Sequence, residues 1–133
     1  MKLYHGSPNK LKVLKPKQGR GLTKFENQKA IFLTNSFDKA ALYAISKSLK
    51  GKTSFGIIRN KLFIVGNFKL RLGYVYEVNV KAKKGPRGQY SYNEQIKKFK
   101  IKKVFPKDYK KKIIYVKNKK ELMEKIKWPP QYT

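Results

Sequence analysis

The segment of residues 30–49 constrains the fold more than any other, because it predicts a strand followed directly by a helix. Residues 30–34 (AIFLT) are a continuous apolar run of strand length, typical of a strand buried on both faces. The Asn-Ser turn at 35–36 offers helix N-cap residues, and Asp38 complements the dipole of the first turn. Apolar residues then recur at helical spacing, at Phe37, Ala40, Ala41, Ala44 and Ile45. This spacing predicts an amphipathic helix over residues 37–49.

Shorter apolar blocks predict several more strands and a second helix. The heptapeptide YVYEVNV alternates, so its tyrosines share one face and Glu77 lies on the other. Glycine and proline predict loops at 15–29 and 83–93, and Gly6 and Pro8 predict the end of the first strand. The predicted strands are residues 2–4, 61–65, 74–80, 96–105 and 113–116, and the second helix is 119–127. Many strands with one strong helix early in the chain predict the α+β class.

The length of the chain and its scarce histidine and cysteine limit its architecture and chemistry. Its 133 residues suit a single domain, 1–133, with a core over 2–105 and a lysine-rich strand and helix over 106–127. The chain has no cysteine and one histidine, which excludes a disulfide framework, a thiolate nucleophile and a multi-histidine metal site; we expect no metal. Neither a signal-peptide core nor a membrane-length apolar run is present, so we expect a cytoplasmic protein without a membrane partner.

The charge of the chain predicts an anionic partner. Lys and Arg number 34 against seven Asp and Glu, a formal net charge of +27. Fourteen lysines lie in residues 97–127. The lysines of 97–103 cannot share one face of a strand, which predicts an edge strand. This surface is either an electrostatic track for nucleic acid or an acidic protein, or a solvated face that aids solubility. Lysine outnumbers arginine, which favours phosphate attraction over base-specific readout.

Three small groups of residues are candidates for chemistry. His5, Gly6 and Ser7 follow a predicted strand and can offer an imidazole, backbone amide groups and a hydroxyl to one small molecule; the alternative is a surface histidine before a turn. Phe32 and Tyr43 lie on the strand and helix of 30–49 and can clamp a flat heterocycle, unless they are ordinary core residues.

Glu94 is the carboxylate whose position is most suggestive. It lies where the glycine-rich loop of 83–93 gives way to a strand, and so at the mouth of a cleft. The alternative is an exposed charge among lysines, which contributes little energetically. Glu77 is the rival carboxylate, and its mid-strand position is better explained as an exposed place on a sheet.

Taken in order, these segments resemble the His-Tyr-Glu branch of the ADP-ribosyltransferase superfamily, which includes diphtheria-type toxins and the poly(ADP-ribose) polymerases. Residues 4–7 (YHGS) are similar to the first family motif, a strand that ends in His-Gly before Thr or Ser. Residues 30–43 are similar to the second, an apolar strand, a polar turn and a helix with a tyrosine. Residues 92–94 (YNE) are similar to the third. The family tyrosine of the second motif is Phe32 here, which keeps the ring and loses the hydroxyl.

The resemblance implies a split β-sandwich, with one main helix after the second motif strand and a short C-terminal helix, that binds NAD as a substrate. It implies that His5 binds a ribose hydroxyl, that Gly6 holds the nicotinamide carboxamide with Ser7 beside it, and that Phe32 and Tyr43 enclose the nicotinamide ring. Glu94 would stabilise the oxocarbenium-like charge that grows as the glycosidic bond breaks. The basic residues that can hold the pyrophosphate are Lys10, Lys12, Lys15, Lys17, Arg20 and Lys24.

The resemblance therefore predicts an NAD-dependent ADP-ribosyltransferase that modifies nucleic acid or an acidic protein, with nucleic acid favoured. A role as a toxin or in phage–host conflict, with an antitoxin or regulatory partner, fits the same family. One alternative is an RNA 2′-phosphotransferase-like enzyme, against which the single histidine counts. The other is a catalytically inactive relative that acts as a basic nucleic-acid-binding domain, with Phe32 as the mark of a decayed site.

Overall fold

The secondary structure belongs to the α+β class, as the sequence predicts. A computed structural model of the chain describes residues 1–20 and 23–127, so residues 21, 22 and 128–133 of the predicted domain lie outside the described residues. The strands are β1 (Lys2–Ser7), β2 (Lys17–Gln18), β3 (Lys29–Thr34), β4 (Phe55–Ile58), β5 (Lys61–Val65), β6 (Gly73–Asn79), β7 (Lys83–Lys84), β8 (Gln89–Tyr92), β9 (Lys100–Val104) and β10 (Ile113–Val116). The helices are α1 (Phe37–Ser46) and α2 (Lys119–Lys127), with 3₁₀ segments at Lys47–Leu49 and Pro106–Lys112.

The main sheet has seven strands and is antiparallel. Its order is β7-β8-β3-β1-β6-β9, and β2 pairs with β3 beside this path. The strands β1 and β3 share one register pair, Tyr4 with Thr34, whereas β1 pairs with β6 along its whole length from Lys2 to Ser7. The candidate motif strands β1, β3 and β8 are thus neighbours in the sheet.

A second sheet and helix α1 complete the core. The strand β5 pairs antiparallel with β4 and parallel with β10. The alanine-rich face of α1 packs on β1 and β6 of the main sheet, and α1 also contacts β4 and β5 of the second sheet. The other face of the main sheet has its own core, built around the fully buried Tyr76. The one strong helix predicted from residues 30–49 therefore joins the two sheets.

Capping and one ion pair fix the first turn of α1. Ser36 is the N-cap, and its Oγ accepts the Lys39 N–H at 3.1 Å. Asp38 accepts hydrogen bonds from Lys112 Nζ at 2.7 Å and from the Tyr109 hydroxyl at 3.5 Å. Burial, and then the Asp38 charge, raise the pKa of Tyr109 to about 12. These contacts attach the lysine-rich 3₁₀ segment to α1.

Several predicted boundaries are wrong for identifiable reasons. The first strand does not end at Tyr4, as predicted, but continues to Ser7, because His5, Gly6 and Ser7 also pair with β6. The glycine-rich segment 83–93 is not a loop throughout; it holds the hairpin of β7 and β8, with the turn at residues 85–88. The final turn of the predicted 37–49 helix is 3₁₀.

The remaining differences concern the strands on either side. The predicted loop 15–29 contains β2, and β4 was not predicted. Within the predicted strand 96–105, regular pairing covers Lys100–Val104, while Ile96 forms a single bridge to Leu14. The edge position expected for this strand is confirmed. In the described part of the chain, no helix combines the length and the apolarity needed to cross a membrane.

Candidate active site

His5 lies within β1 and is held by the neighbouring motif strand. Its Nδ1 is 2.9 Å from the carbonyl oxygen of Phe32. A carbonyl oxygen accepts hydrogen bonds, so Nδ1 carries a proton and donates it. Burial lowers the pKa of His5 to about 4, with smaller contributions of the same sign from Lys47 and Lys17. Near neutral pH the imidazole is uncharged, and its Nε2 is an acceptor for a ligand hydroxyl.

The low pKa of His5 predicts a loss of stability in acid. Its pKa is lowered from 6.5 to about 4 by folding, so between these values the unfolded chain binds the proton more tightly. The contribution of His5 to the free energy of unfolding therefore keeps its full value above pH 6.5 and decreases as the pH falls towards 4. Urea unfolding is expected to show wild type losing about 2 kcal/mol more than His5→Gln between about pH 7 and about pH 4.5, at about 1.4 kcal/mol per pKa unit. Parallel pH profiles for the two proteins would contradict this.

Gly6 and Ser7 are engaged by the protein itself. A Cβ on Gly6 would overlap the carbonyl oxygen of Ala40 and lie 3.0 Å from the Ala44 nitrogen, so the open side of Gly6 faces α1. Ser7 is 6% exposed, and its Oγ accepts the Asn9 N–H at 3.2 Å. The glycine therefore permits close helix packing, and the serine fixes the turn that follows β1.

The ring of Phe32 is covered by another part of the chain, whereas Tyr43 is partly open to solvent. The ring centroid of Phe32 lies 5.6 Å from that of Phe25, in an edge-to-face arrangement, and a Cβ on Gly19 would meet the Phe32 ring at 2.6 Å. The segment 15–29 thus lies against the ring of Phe32. Tyr43 is 36% exposed on α1. Burial, and then the nearby charge of Glu26, raise the pKa of Tyr43.

Glu94 lies two residues beyond the end of β8 and is exposed. Its Oε2 accepts a hydrogen bond from the Tyr92 hydroxyl at 3.3 Å. The β3–β8 register pairs Phe32 with Ser91, and Glu94 follows Ser91 by three residues, at a bend beyond the end of β8. The structure brings β1, β3 and β8 together, with Glu94 just beyond β8. His5 bonds to the Phe32 backbone, whereas Glu94 bonds to the Tyr92 hydroxyl.

Two lysines near His5 were not singled out together by the sequence. Lys47 follows the last residue of α1, and Lys17 lies on β2. Burial lowers the pKa of Lys47, as do the charges of Lys17 and Lys50. Both lysines lower the pKa of His5, so positive charge lies near the imidazole. Lys47 lies four residues after Tyr43, so the helical period places both on one face, and this signal was present in the sequence.

Tyr76 is a second residue that the sequence analysis missed. Its hydroxyl accepts the Leu11 N–H at 2.6 Å and donates to the Asn9 carbonyl at 2.8 Å. It pairs with His5 across β1 and β6, and the two ring centroids are 6.3 Å apart. The hydroxyl of Tyr76 therefore holds the segment after β1 across the sheet, beside His5.

Two shallow cavities lie beside the N-terminal end of β1. A cavity of about 300 Å³ is lined by residues of β1, β6 and β8, including Leu3 and Tyr90. A second, of about 350 Å³, lies between β6 and the segment before β9 and is lined by Lys98 and Phe99 among others. Neither is lined by His5 or Glu94. Within residues 1–20 and 23–127, no three acidic or histidine side chains group to hold a metal ion. Comparison of the chain with protein-family models, curated proteins and solved structures finds no match.

Proposed function

We propose that the chain is an NAD-dependent ADP-ribosyltransferase on an ADP-ribosyltransferase-like split β-sandwich, and that it modifies an anionic macromolecule. The observation that supports this proposal is that three motif segments, far apart in sequence, lie on or next to adjacent strands in the order β8-β3-β1. The direct hydrogen bond from His5 to the Phe32 backbone joins two of these motifs.

In the proposed mechanism the imidazole of His5 helps to bind NAD and transfers no proton. With Nδ1–H donated to Phe32, Nε2 accepts a hydrogen bond from a ribose hydroxyl of NAD. Lys17 and Lys47, which lie near His5, attract the diphosphate. Among the basic residues that the sequence offered for the pyrophosphate, proximity to His5 therefore favours Lys17, with Lys47 added from the end of α1.

The transfer itself requires charge stabilisation at the nicotinamide ribose. The bond between the ribose carbon and the nicotinamide nitrogen breaks, and nicotinamide leaves as a neutral molecule. The Glu94 carboxylate stabilises the positive charge that grows on the sugar. A nucleophilic oxygen or nitrogen of the acceptor then forms the new bond to that carbon and releases its proton to solvent. Nicotinamide binding between Phe32 and Tyr43 requires the segment 15–29 to move off the Phe32 ring.

A second candidate is a catalytically inactive relative that binds nucleic acid. The contact of Phe25 and Gly19 with Phe32 favours it, because it covers the ring on which nicotinamide would stack. The exposure of Glu94 and its separate partner, Tyr92, favour it too. The absence of a hydroxyl at Phe32, where the family has tyrosine, also favours the inactive relative. The two candidates differ in one measurable property, the turnover of NAD.

We expect wild-type protein to release nicotinamide from NAD and to transfer label from adenine-labelled NAD to an acceptor. The test supplies single-stranded nucleic acid, duplex nucleic acid and an acidic protein in separate reactions, with heat-unfolded protein as the blank. Circular dichroism before and after each reaction confirms that the protein stays folded. Folded protein that neither releases nicotinamide nor transfers label to any acceptor would overturn the proposal and support the inactive relative.

A further inference from the structure

The most strongly charged surface of the described chain is continuous with the main sheet. We define the basic edge as residues 97–107, which comprise β9 and the residues on either side of it. This segment holds six lysines, two phenylalanines and no acidic residue. All six lysines are exposed. Strand β9 ends the order of the main sheet and pairs there with β6. The basic edge is therefore an edge strand of the sheet, with its flanking residues, whose own charged side chains are all positive.

The lysines of the basic edge follow the run of β9 on both of its faces. An antiparallel strand rises about 3.4 Å per residue, so Lys100 and Lys102, on one face, are about 7 Å apart. Lys103 lies on the opposite face, next to Tyr74 of β6. From Lys100 to Phe105 the edge extends about 17 Å by the same rise. A nucleic acid strand also carries its charges in a regular line, one phosphate per nucleotide, whereas a folded acidic protein presents carboxylates without such a repeat.

Aromatic rings accompany these charges at both ends of β9. Phe105 is 38% exposed, and Lys107 Nζ lies 5.7 Å from its ring centroid. Phe99 lines the cavity of about 350 Å³ together with Lys2, Lys98 and Lys100, and the one carboxylate in this lining is that of Glu77. Its ring is fixed edge-to-face on Tyr76, at 5.1 Å between centroids. Exposed rings beside lysines are stacking positions for unpaired bases, and bases in a duplex are not available for such stacking.

We propose that the basic edge binds single-stranded nucleic acid, with its lysines on the phosphates and Phe105 and Phe99 against bases. We further propose that this strand is the acceptor of ADP-ribose; this second part rests on the proposed function. Lysine, rather than arginine, supplies the whole charge of the edge, so binding has little dependence on base sequence.

The position of the basic edge relative to His5 supports the acceptor role. His5 pairs with Tyr76, and Tyr76 pairs with Ile101 of β9. Neighbouring strands are about 4.8 Å apart, so the β9 backbone at Ile101 lies about 10 Å from that of His5. A nucleic acid strand bound along β9 thus lies on the β6 side of β1, about 10 Å from the His5 backbone, whereas Glu94 follows β8 on the other side of β1. In the transfer, a nucleophilic oxygen or nitrogen of the strand displaces nicotinamide and loses its proton.

Binding is tested without NAD, by the fluorescence anisotropy of labelled oligonucleotides of about 15 nucleotides, a length that covers known site sizes. The charge variant replaces Lys98, Lys100 and Lys103 by Gln. The matched control replaces Lys52, Lys61 and Lys119, which are exposed around the second sheet. We expect the charge variant to bind the single strand about tenfold more weakly, and its salt dependence to be shallower by about two in log–log slope, at about 0.7 per lost phosphate contact. The control is expected to stay within about twofold of wild type.

Stacking is tested by Phe105→Ala, with Tyr115→Ala as the control, since Tyr115 is 48% exposed on the second sheet. We expect Phe105→Ala to weaken single-strand binding about tenfold and to leave duplex binding unchanged. Equal weakening by the two lysine triples would overturn the proposed edge, because binding would then follow overall charge. Competition by polyglutamate as effective as that by oligonucleotide would also overturn it, in favour of an acidic protein.

The acceptor role is tested separately, so that a failure to label the strand can be distinguished from a failure to turn over NAD. With labelled NAD and the oligonucleotide, wild type is expected to label the strand, and the Lys98, Lys100 and Lys103 triple to lose labelling while it still releases nicotinamide. Nicotinamide release by wild type with an unlabelled, bound strand would overturn the acceptor role and leave the proposed NAD chemistry intact. Binding that survives in a protein without NAD turnover would overturn the proposed function and retain the nucleic-acid surface.

Discussion

Replacing Glu94 by glutamine is expected to lower the rate of nicotinamide release at saturating NAD about 100-fold to 1000-fold. The amide has nearly the same size as the carboxylate, but it lacks the negative charge that stabilises the growing positive charge on the ribose. Loss of one preorganised electrostatic contact to a transition state commonly has an effect of this size. Calorimetric titration should find NAD affinity changed far less than the rate, because the charge develops in the transition state and not in bound NAD.

The matched control is Glu77→Gln. Glu77 is a partly buried carboxylate on β6, opposite Lys100 of β9, and the proposed mechanism gives it no role. Its variant is expected to release nicotinamide within about twofold of the wild-type rate. Equal rates for wild type and Glu94→Gln would remove Glu94 from the mechanism. Because Glu94 is exposed and its hydrogen bond comes from Tyr92, thermal unfolding should change little, and a fall in rate is not a consequence of misfolding.

The elements that could be predicted from the sequence are those whose signals are local. Helix α1 has a capping serine, an acidic residue in its first turn and apolar residues at helical spacing, and all three signals act within about 12 residues. The alternation of β6 predicts its two faces correctly: Tyr76 and Val78 lie in one core cluster and Val75 in the other. Such periodicity reports burial directly, since each face of an element meets a different environment.

The strands that were not predicted lie beside turns that hide them, either because the turn residues are unusual or because turn residues fill most of the segment. Strands β4 and β5 are joined by Arg59 and Asn60, which both have positive φ and form a two-residue hairpin turn. Such turns are usually recognised by Asn-Gly or Asp-Gly, and this pair gives a weaker signal. In the segment 83–93, glycine and proline mark the turn at 85–88, but they also conceal the short strands that flank it.

The arrangement of the candidate site could be predicted in part. The resemblance of three motifs anticipated which segments belong together, but the hydrogen bond of His5 to Phe32 depends on how β1 and β3 separate after their single register pair. The packing of Phe25 on Phe32 depends on how the chain between β2 and β3 returns to pair β2 beside β3. Both are long-range consequences of strand pairing, and no local pattern in the sequence encodes them.

The second prediction concerns Gly6, at which the motif and the fold make different demands. Gly6→Ala is expected to lower the free energy of unfolding by about 3 kcal/mol, at the upper end of the usual cost of overpacking. The added methyl group would overlap the Ala40 carbonyl oxygen, which is helix backbone and cannot rotate away. A Cβ on Gly73 of β6 would also come within 2.6 Å of the Ala44 carbonyl oxygen, so α1 has little freedom to shift along the sheet. Urea denaturation followed by circular dichroism measures the change.

The control is Gly51→Ala, at an exposed site with φ of 82° and no neighbouring atom within 4 Å of the added Cβ. There the cost is the left-handed backbone alone, about 1 kcal/mol, so Gly6→Ala must be clearly the more destabilising of the two. The resemblance to the transferase motif, in contrast, explains Gly6 by the nicotinamide that its backbone would hold. If Gly6→Ala is as stable as wild type but no longer turns over NAD, the ligand and not helix α1 requires this glycine, and the close helix packing is contradicted. If stability falls as expected, the close packing of helix α1 on the sheet requires Gly6.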